Sequence, residues 1–223
     1  MVVVGLLVAG VAGVASADPV GVNAVRNGDF SEGLTGFGSS YEARVAGTGS
    51  MWDPGTITVD DTVVGNHALW TGDGSDGHGD FLLVNGRTDG SSTVWAQTVA
   101  VERGASYVFG FDAMNLCCNA LAGAAGDGLG PVLSVWINGL LLGSFGTDGP
   151  GVWETFASMP WTSLADRAVV EIRDGATAYH GNDFGLDDIT LKETPPVPEP
   201  ASLVLLGTGL TWLVRGRRRI QRG

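Results

Sequence analysis

Between Phe81 and Leu191 apolar and polar residues alternate with period two, and each run is closed by Gly, Asp, Asn or Pro. Period two places successive side chains on opposite sides of a pleated ribbon, so this pattern commits the region to short strands. The runs are Phe81 to Val84, Val94 to Val101, Tyr107 to Ala113, Val132 to Ile137 and Ala168 to Arg173, with a closing strand from Phe184 to Leu191. In YVFGFDA, Tyr107, Phe109, Phe111 and Ala113 share the face predicted to be core, while Val108, Gly110 and Asp112 take the other. In LSVWIN, Leu133, Val135 and Ile137 are predicted to point inward and Ser134, Trp136 and Asn138 outward, with Asn138 and Gly139 turning a hairpin into LLLGSF. Glycine supplies 36 of 223 residues and helical periodicity is scarce, so turns are frequent. The expected fold class is all-β, an antiparallel β-sandwich with one core.

The two ends differ from this body. Residues 2–17, VVVGLLVAGVAGVASA, form an apolar stretch ending in Ala15, Ser16 and Ala17, the small-residue pattern that signal peptidase accepts. Cleavage after Ala17 is expected; no Lys or Arg precedes the apolar run, which leaves the true start of the chain open. At the other end come VPEP, then ASLVLLGTGLTWLV, then RGRRRIQRG. The 14 apolar residues, 201–214, reach about 21 Å as a helix, short of the roughly 30 Å of a bilayer core. A permanent anchor of that length needs tilt, thinning or snorkelling arginines, whereas a transient substrate of a membrane enzyme does not. Arg215, Arg217, Arg218, Arg219 and Arg222 are expected to stay cytoplasmic, leaving everything before Pro198 outside.

In this order the three blocks resemble the PEP-CTERM sorting signal of Gram-negative bacteria, with Pro198, Glu199 and Pro200 matching its signature tripeptide. The resemblance implies an exosortase-type membrane processing enzyme as partner. It also implies export through the inner membrane and delivery to the envelope, surface or extracellular matrix, with membrane attachment through the C-terminal helix before processing. The expected organisation is a signal helix over 1–17, a β-sandwich over 18–193 and a proline-rich linker with the sorting motif over 194–200. A hydrophobic helix over 201–214 and a basic cytoplasmic tail over 215–223 complete it.

The formal charge is −12, but five of the twelve basic residues lie in the tail. Without the tail and Glu199, seven Lys or Arg face 23 Asp or Glu, a balance of −16. That excludes nucleic acid as a natural partner and suits a solvated surface, divalent cations or neutral sugars.

A second resemblance covers roughly Asn23 to Glu193, through NGDFSEGLTGF, GDFLLVNG, VWAQTVAVERGASYVFGFDA, LSVWINGLLLGSF with VWETF, and GNDFGLDDITL. It is to galactose-binding-like jelly-roll domains, which include several carbohydrate-binding modules. The resemblance implies that the first and last strands are neighbours and that a structural calcium can sit between them. Asp188 is the residue carried over, with Asp29 or Glu32 standing in for the acid expected where this chain has Ser31. Turn and edge hydrogen bonds are the alternative role for these acids.

Other candidates carry less. The loop GDGSDGHGD offers Asp73, Asp76, His78 and Asp80, but not at EF-hand spacing, and a solvated loop is the expected reading. His67, His78 and His180 are scattered, so no zinc pattern exists. Adjacent Cys117 and Cys118 leave three fates open: a vicinal disulfide, an intermolecular bridge, or two reduced buried thiols. For a sugar ligand, Trp136 is the large aromatic that parity places outside, with Asp112, Glu171 and Arg173 sharing its parity on their own strands. Asp187 and Asp188, adjacent on a strand, point to opposite faces and do not form a glycosidase pair. The expectation is a non-catalytic surface or matrix protein binding extracellular polysaccharide. The alternatives are a purely structural envelope or biofilm protein and, less favoured, a glycoside hydrolase.

Overall fold

A computed structural model describes residues 21–71, 79–118, 130–147 and 149–195. Among these residues there are eleven strands: β1 (Glu42–Ala43), β2 (Thr56–Asp60), β3 (Phe81–Asn85), β4 (Ser92–Ala100), β5 (Ser106–Asn115), β6 (Val132–Ile137), β7 (Leu140–Gly146), β8 (Trp153–Ala157), β9 (Trp161–Thr162), β10 (Arg167–Asp174) and β11 (Phe184–Glu193). They form a seven-stranded sheet in the order β1-β2-β3-β11-β5-β8, with β9 also on β5, and a four-stranded sheet β4-β10-β6-β7. Every pairing is antiparallel except β1 with β2.

The sheets close over one core because their facing residues are the apolar members of each alternation. Tyr107, Phe109, Phe111 and Ala113 from β5 meet Leu133, Val135 and Ile137 from β6 and Ala168, Val170 and Ile172 from β10. Trp95 on β4 is fully buried, with Phe37 and Phe109 each 6.3 Å away between ring centroids. The β6–β7 hairpin turns at Asn138 and Gly139 with φ of 49° and 78°, the left-handed conformation that a two-residue turn requires.

A second cluster covers the outer side of the larger sheet. Met51, Val63, Trp70, Phe81, Leu83, Met114 and Leu116 pack there, with Trp153 against them. Strand β3 is therefore buried along its whole length: Leu82 and Val84 enter the main core, and Phe81 and Leu83 the outer cluster.

The start of the domain is laced along its last strand. Ala24 N donates to Leu191 O at 2.9 Å and Ile189 N to Gly28 O at 2.9 Å. The Asn23 side chain bridges Leu191 N at 2.9 Å and Ile189 O at 3.1 Å. Strand β11 shifts register between Asp187 and Thr190, where Asp188 takes a φ of 49°. The expected terminal helices, with Ala15, Ala17, Pro198, Glu199 and Pro200, lie outside the described residues, as do Asp73, Asp76 and His78.

Candidate functional site

The sequence-derived ligand residues do not converge. Trp136 lies on β6 in the four-stranded sheet, whereas Asp112 lies on β5 in the other sheet, opposite Asp187. Parity assigns a residue to a face but not to a sheet, and here the two outward faces lie on opposite sides of the sandwich. Glu171 and Arg173 do share Trp136's face, with Glu171 directly across from it. These groups pair with one another. The Arg173 guanidinium stands 4.7 Å from the Trp136 ring centroid, Arg173 Nη2 lies 2.7 Å from Glu171 Oε2, and Trp136 Nε1 donates to Ser134 Oγ at 3.0 Å. A cation over the ring occupies the face that a sugar would stack on.

Asp29 and Asp188 do come together, because residues 23–28 run beside β11. Both line a recess of about 290 Å³ with Asn27, Gly28 and Thr190. Within it Asp29 Oδ1 accepts from Ser31 Oγ at 3.0 Å, and Asn27 donates its amide to Gly33 O and Thr35 O. Calcium takes six to eight oxygens, and carboxylates dominate protein sites. Among the described residues no group of three or more His, Cys, Asp or Glu side chains converges to hold a metal. Toward a cation the recess offers two carboxylates, Asp29 and Asp188, and the oxygen of Asn27.

The concave site with convergent aromatic and polar groups lies elsewhere, at a rim of the sandwich. Four loops build it: the β1–β2 loop with Trp52 and Pro54, the β2–β3 loop with His67 and Leu69, the segment after β5 with Cys117 and Cys118, and the β10–β11 loop with Tyr179, His180 and Asp183. Its volume is about 260 Å³. Trp52 is 51% exposed and Tyr179 63% exposed, although both are large aromatics. Trp52 packs on His67 at 4.1 Å between centroids, and His67 on buried Trp70 at 5.1 Å, giving a continuous aromatic stack from solvent to interior. Tyr179 meets His180 edge to face at 4.9 Å.

The polar groups in the floor are fixed. Asp183 Oδ2 accepts from Trp70 Nε1 at 2.7 Å and Oδ1 from Gly86 N at 3.2 Å. Burial pushes its carboxyl up to about 6, against the opposing effect of those two donors. Asn85 donates its amide to Met51 O at 2.8 Å, leaving its carbonyl oxygen as an acceptor. Burial lowers the His67 pKa, and His67 Nδ1 accepts from Leu69 N at 3.3 Å, so the neutral ring carries its proton on Nε2. The structure joins Cys117 to Cys118 as a vicinal disulfide, one of the three fates open in the sequence.

No residue of this cleft figures among the ligand candidates drawn from strand parity. The signal that marks it is Trp52 within SMWDPG, an aromatic in a turn-forming segment with no apolar periodicity around it.

No protein-family model matches the chain, and no curated protein matches it. Solved structures do. A cyclase from Fischerella sp. TAU superposes with a TM-score of 0.53 at 13% identity, covering 81% of this chain and 100% of that one. A family 16 carbohydrate-binding module gives 0.42 at 14% identity over 76% and 99% of the two chains. A family 61 module solved with β-1,4-galactotriose gives 0.44 at 15% identity over 77% and 98%. The likeness to the cyclase is one of fold, the β-sandwich.

Proposed function

We propose that this is an exported, non-catalytic protein whose sandwich domain binds neutral extracellular polysaccharide in the rim cleft. The observation that carries the proposal is Trp52: half exposed, held by His67, at the mouth of a recess whose floor presents fixed polar groups. A pyranose has apolar faces that stack on such a ring and hydroxyls that need donors and acceptors beside it. The body's charge of −16 favours neutral over anionic sugars. A buried acid with a raised pKa is also a property of general acids, but both oxygens of Asp183 are engaged. Among the described residues no second carboxylate lines the cleft to make a glycosidase pair.

The test is calorimetric titration with the neutral tetrasaccharides of glucose, xylose, galactose and mannose. Trp52→Ala is expected to weaken the best of them by roughly 30-fold, about 2 kcal/mol, the loss typical of a tryptophan anchor. Trp136→Ala is expected to leave the affinity within about twofold, since its ring already serves Arg173. The opposite pattern would place the site on the sheet face, and no binding by the unaltered protein would favour a purely structural role.

Delivery rests on the tail sequence and is tested separately, by mass spectrometry of the mature ends in the native host. A C-terminus near Glu199 or Pro200 is expected. One beyond Arg222 would reject sorting and cleavage while leaving a membrane anchor intact.

A further inference from the structure

Cys117 and Cys118 line the same recess as Trp52 and Tyr179. We infer that the Cys117–Cys118 disulfide is a ligand-contacting wall of this cleft, and that the cleft holds its sugar firmly only while that bond is oxidised. The inference rests on the proposal that the cleft binds carbohydrate.

A disulfide stabilises a fold chiefly by closing a loop of the unfolded chain, and one between neighbouring residues closes none. Its effect is therefore local. The local structure is tied to the cleft on several sides. Cys117 N donates to Asn115 Oδ1 at 3.0 Å, Leu116 N to Asp183 O at 2.9 Å, and Thr71 N to Leu116 O at 2.8 Å, with Cys117 bridged to Trp70. The bond is thus held against the residues that carry the aromatic stack and the buried acid.

Its chemistry suits a sugar ring. Oxidised sulfur is apolar and polarisable and presents no donor, so it offers dispersion contact to a C–H face as the edge of an aromatic ring does. A pyranose stacked on Trp52 has a second apolar face, which a wall without polar groups can cover. Reduction replaces that wall with two independently rotating S–H groups, each a weak donor with no fixed partner. Cys117 is 8% exposed and Cys118 half-buried, and both line the cleft, which is the route by which a reagent would reach them. Export to an oxidising compartment would keep them joined.

Dithiothreitol supplies the test. One of its thiolates attacks a cysteine sulfur and breaks the S–S bond. Its second thiol then displaces the protein from the mixed disulfide, leaving a cyclic disulfide and two cysteine thiols, a transfer of two electrons and two protons. The four neutral tetrasaccharides are titrated into oxidised, reduced and reoxidised protein, and into the Cys117→Ser, Cys118→Ser double variant. Reduction and the double substitution are each expected to weaken the best probe by about tenfold, the upper range of a sulfur contact, with recovery on reoxidation.

A second measurement separates contact from mere support of the loop. At a probe concentration ten times Kd about one cleft in eleven is open, so thiol release by dithiothreitol is expected to slow roughly 11-fold. Equal affinity in both redox states, or thiol release at an unchanged rate under bound probe, overturns the inference and leaves carbohydrate binding standing. Failure of the oxidised protein to bind any of the four rejects carbohydrate binding, and the inference with it.

Discussion

Replacing Gly28 with alanine is expected to cost about 3 kcal/mol of folding stability, at the upper end of what one overpacked atom does. An alanine Cβ there would overlap the carbonyl oxygen of Ile189 and lie 3.2 Å from a methyl of Val25. The neighbour is backbone, and it cannot yield as the tip of a long side chain would. Ile189 N donates to Gly28 O, so moving the chain apart breaks the lacing between residues 23–28 and β11. Gly33→Ala is the control: Gly33 has a φ of 65° but nothing within 4 Å of its Cβ position. It should lose only about 1 kcal/mol, the cost of a left-handed alanine. Urea unfolding of both variants distinguishes them. A Gly28→Ala loss no larger than that of Gly33→Ala would mean the first and last segments are not packed as described.

The second large effect is on pH dependence. Burial raises Asp183 from an ordinary carboxyl value of 3.8 to about 6, so the folded chain holds this proton more tightly than the unfolded chain. The stability it contributes is full below about pH 3 and is lost as pH rises through about 6, a change of about 3 kcal/mol at 1.36 kcal/mol per unit. Asp183→Asn is nearly isosteric and does not titrate. It loses one of the two hydrogen bonds from Trp70 and Gly86, a fixed cost at every pH. The difference in unfolding free energy, wild type minus variant, should therefore fall by about 3 kcal/mol between about pH 3 and about pH 7. Subtracting the variant removes the common titration of the exposed acids. Parallel profiles would show that Asp183 keeps its charge through this range at no cost.

Most of the sandwich was legible because its strands obey one simple rule. Tyr107, Phe109, Phe111 and Ala113 are all buried as alternation predicts, and so are Leu133, Val135 and Ile137. Alternation stops being informative where both faces are covered. In β3 all five residues are buried, and Thr56 and Thr58 on β2, though polar, are 1% and 2% exposed. The nearness of the first and last segments was implied only by the fold resemblance that the NGDF and DDIT segments help to carry, and it is present as the lacing onto β11. The rim cleft was not legible. Trp52, His67, Cys117 and Tyr179 come from four loops far apart in sequence, and loops carry no periodicity that reports what they approach. Trp136 and Asp112 show the converse limit, since period two fixes the side of a ribbon and is silent on which ribbon lies where.

The outer cluster of Met51, Trp70, Phe81, Leu83 and Met114 caps one broad surface of the molecule, and the Trp136–Arg173–Glu171 group occupies the other. A recess of about 260 Å³ at the rim admits roughly one ring, below the usual size of sites for larger ligands. A protein built this way would grip a glycan at a terminus or a branch stub. Its loading on a matrix would then scale with the number of ends the polymer exposes, so trimming a long chain into shorter ones would recruit more of it.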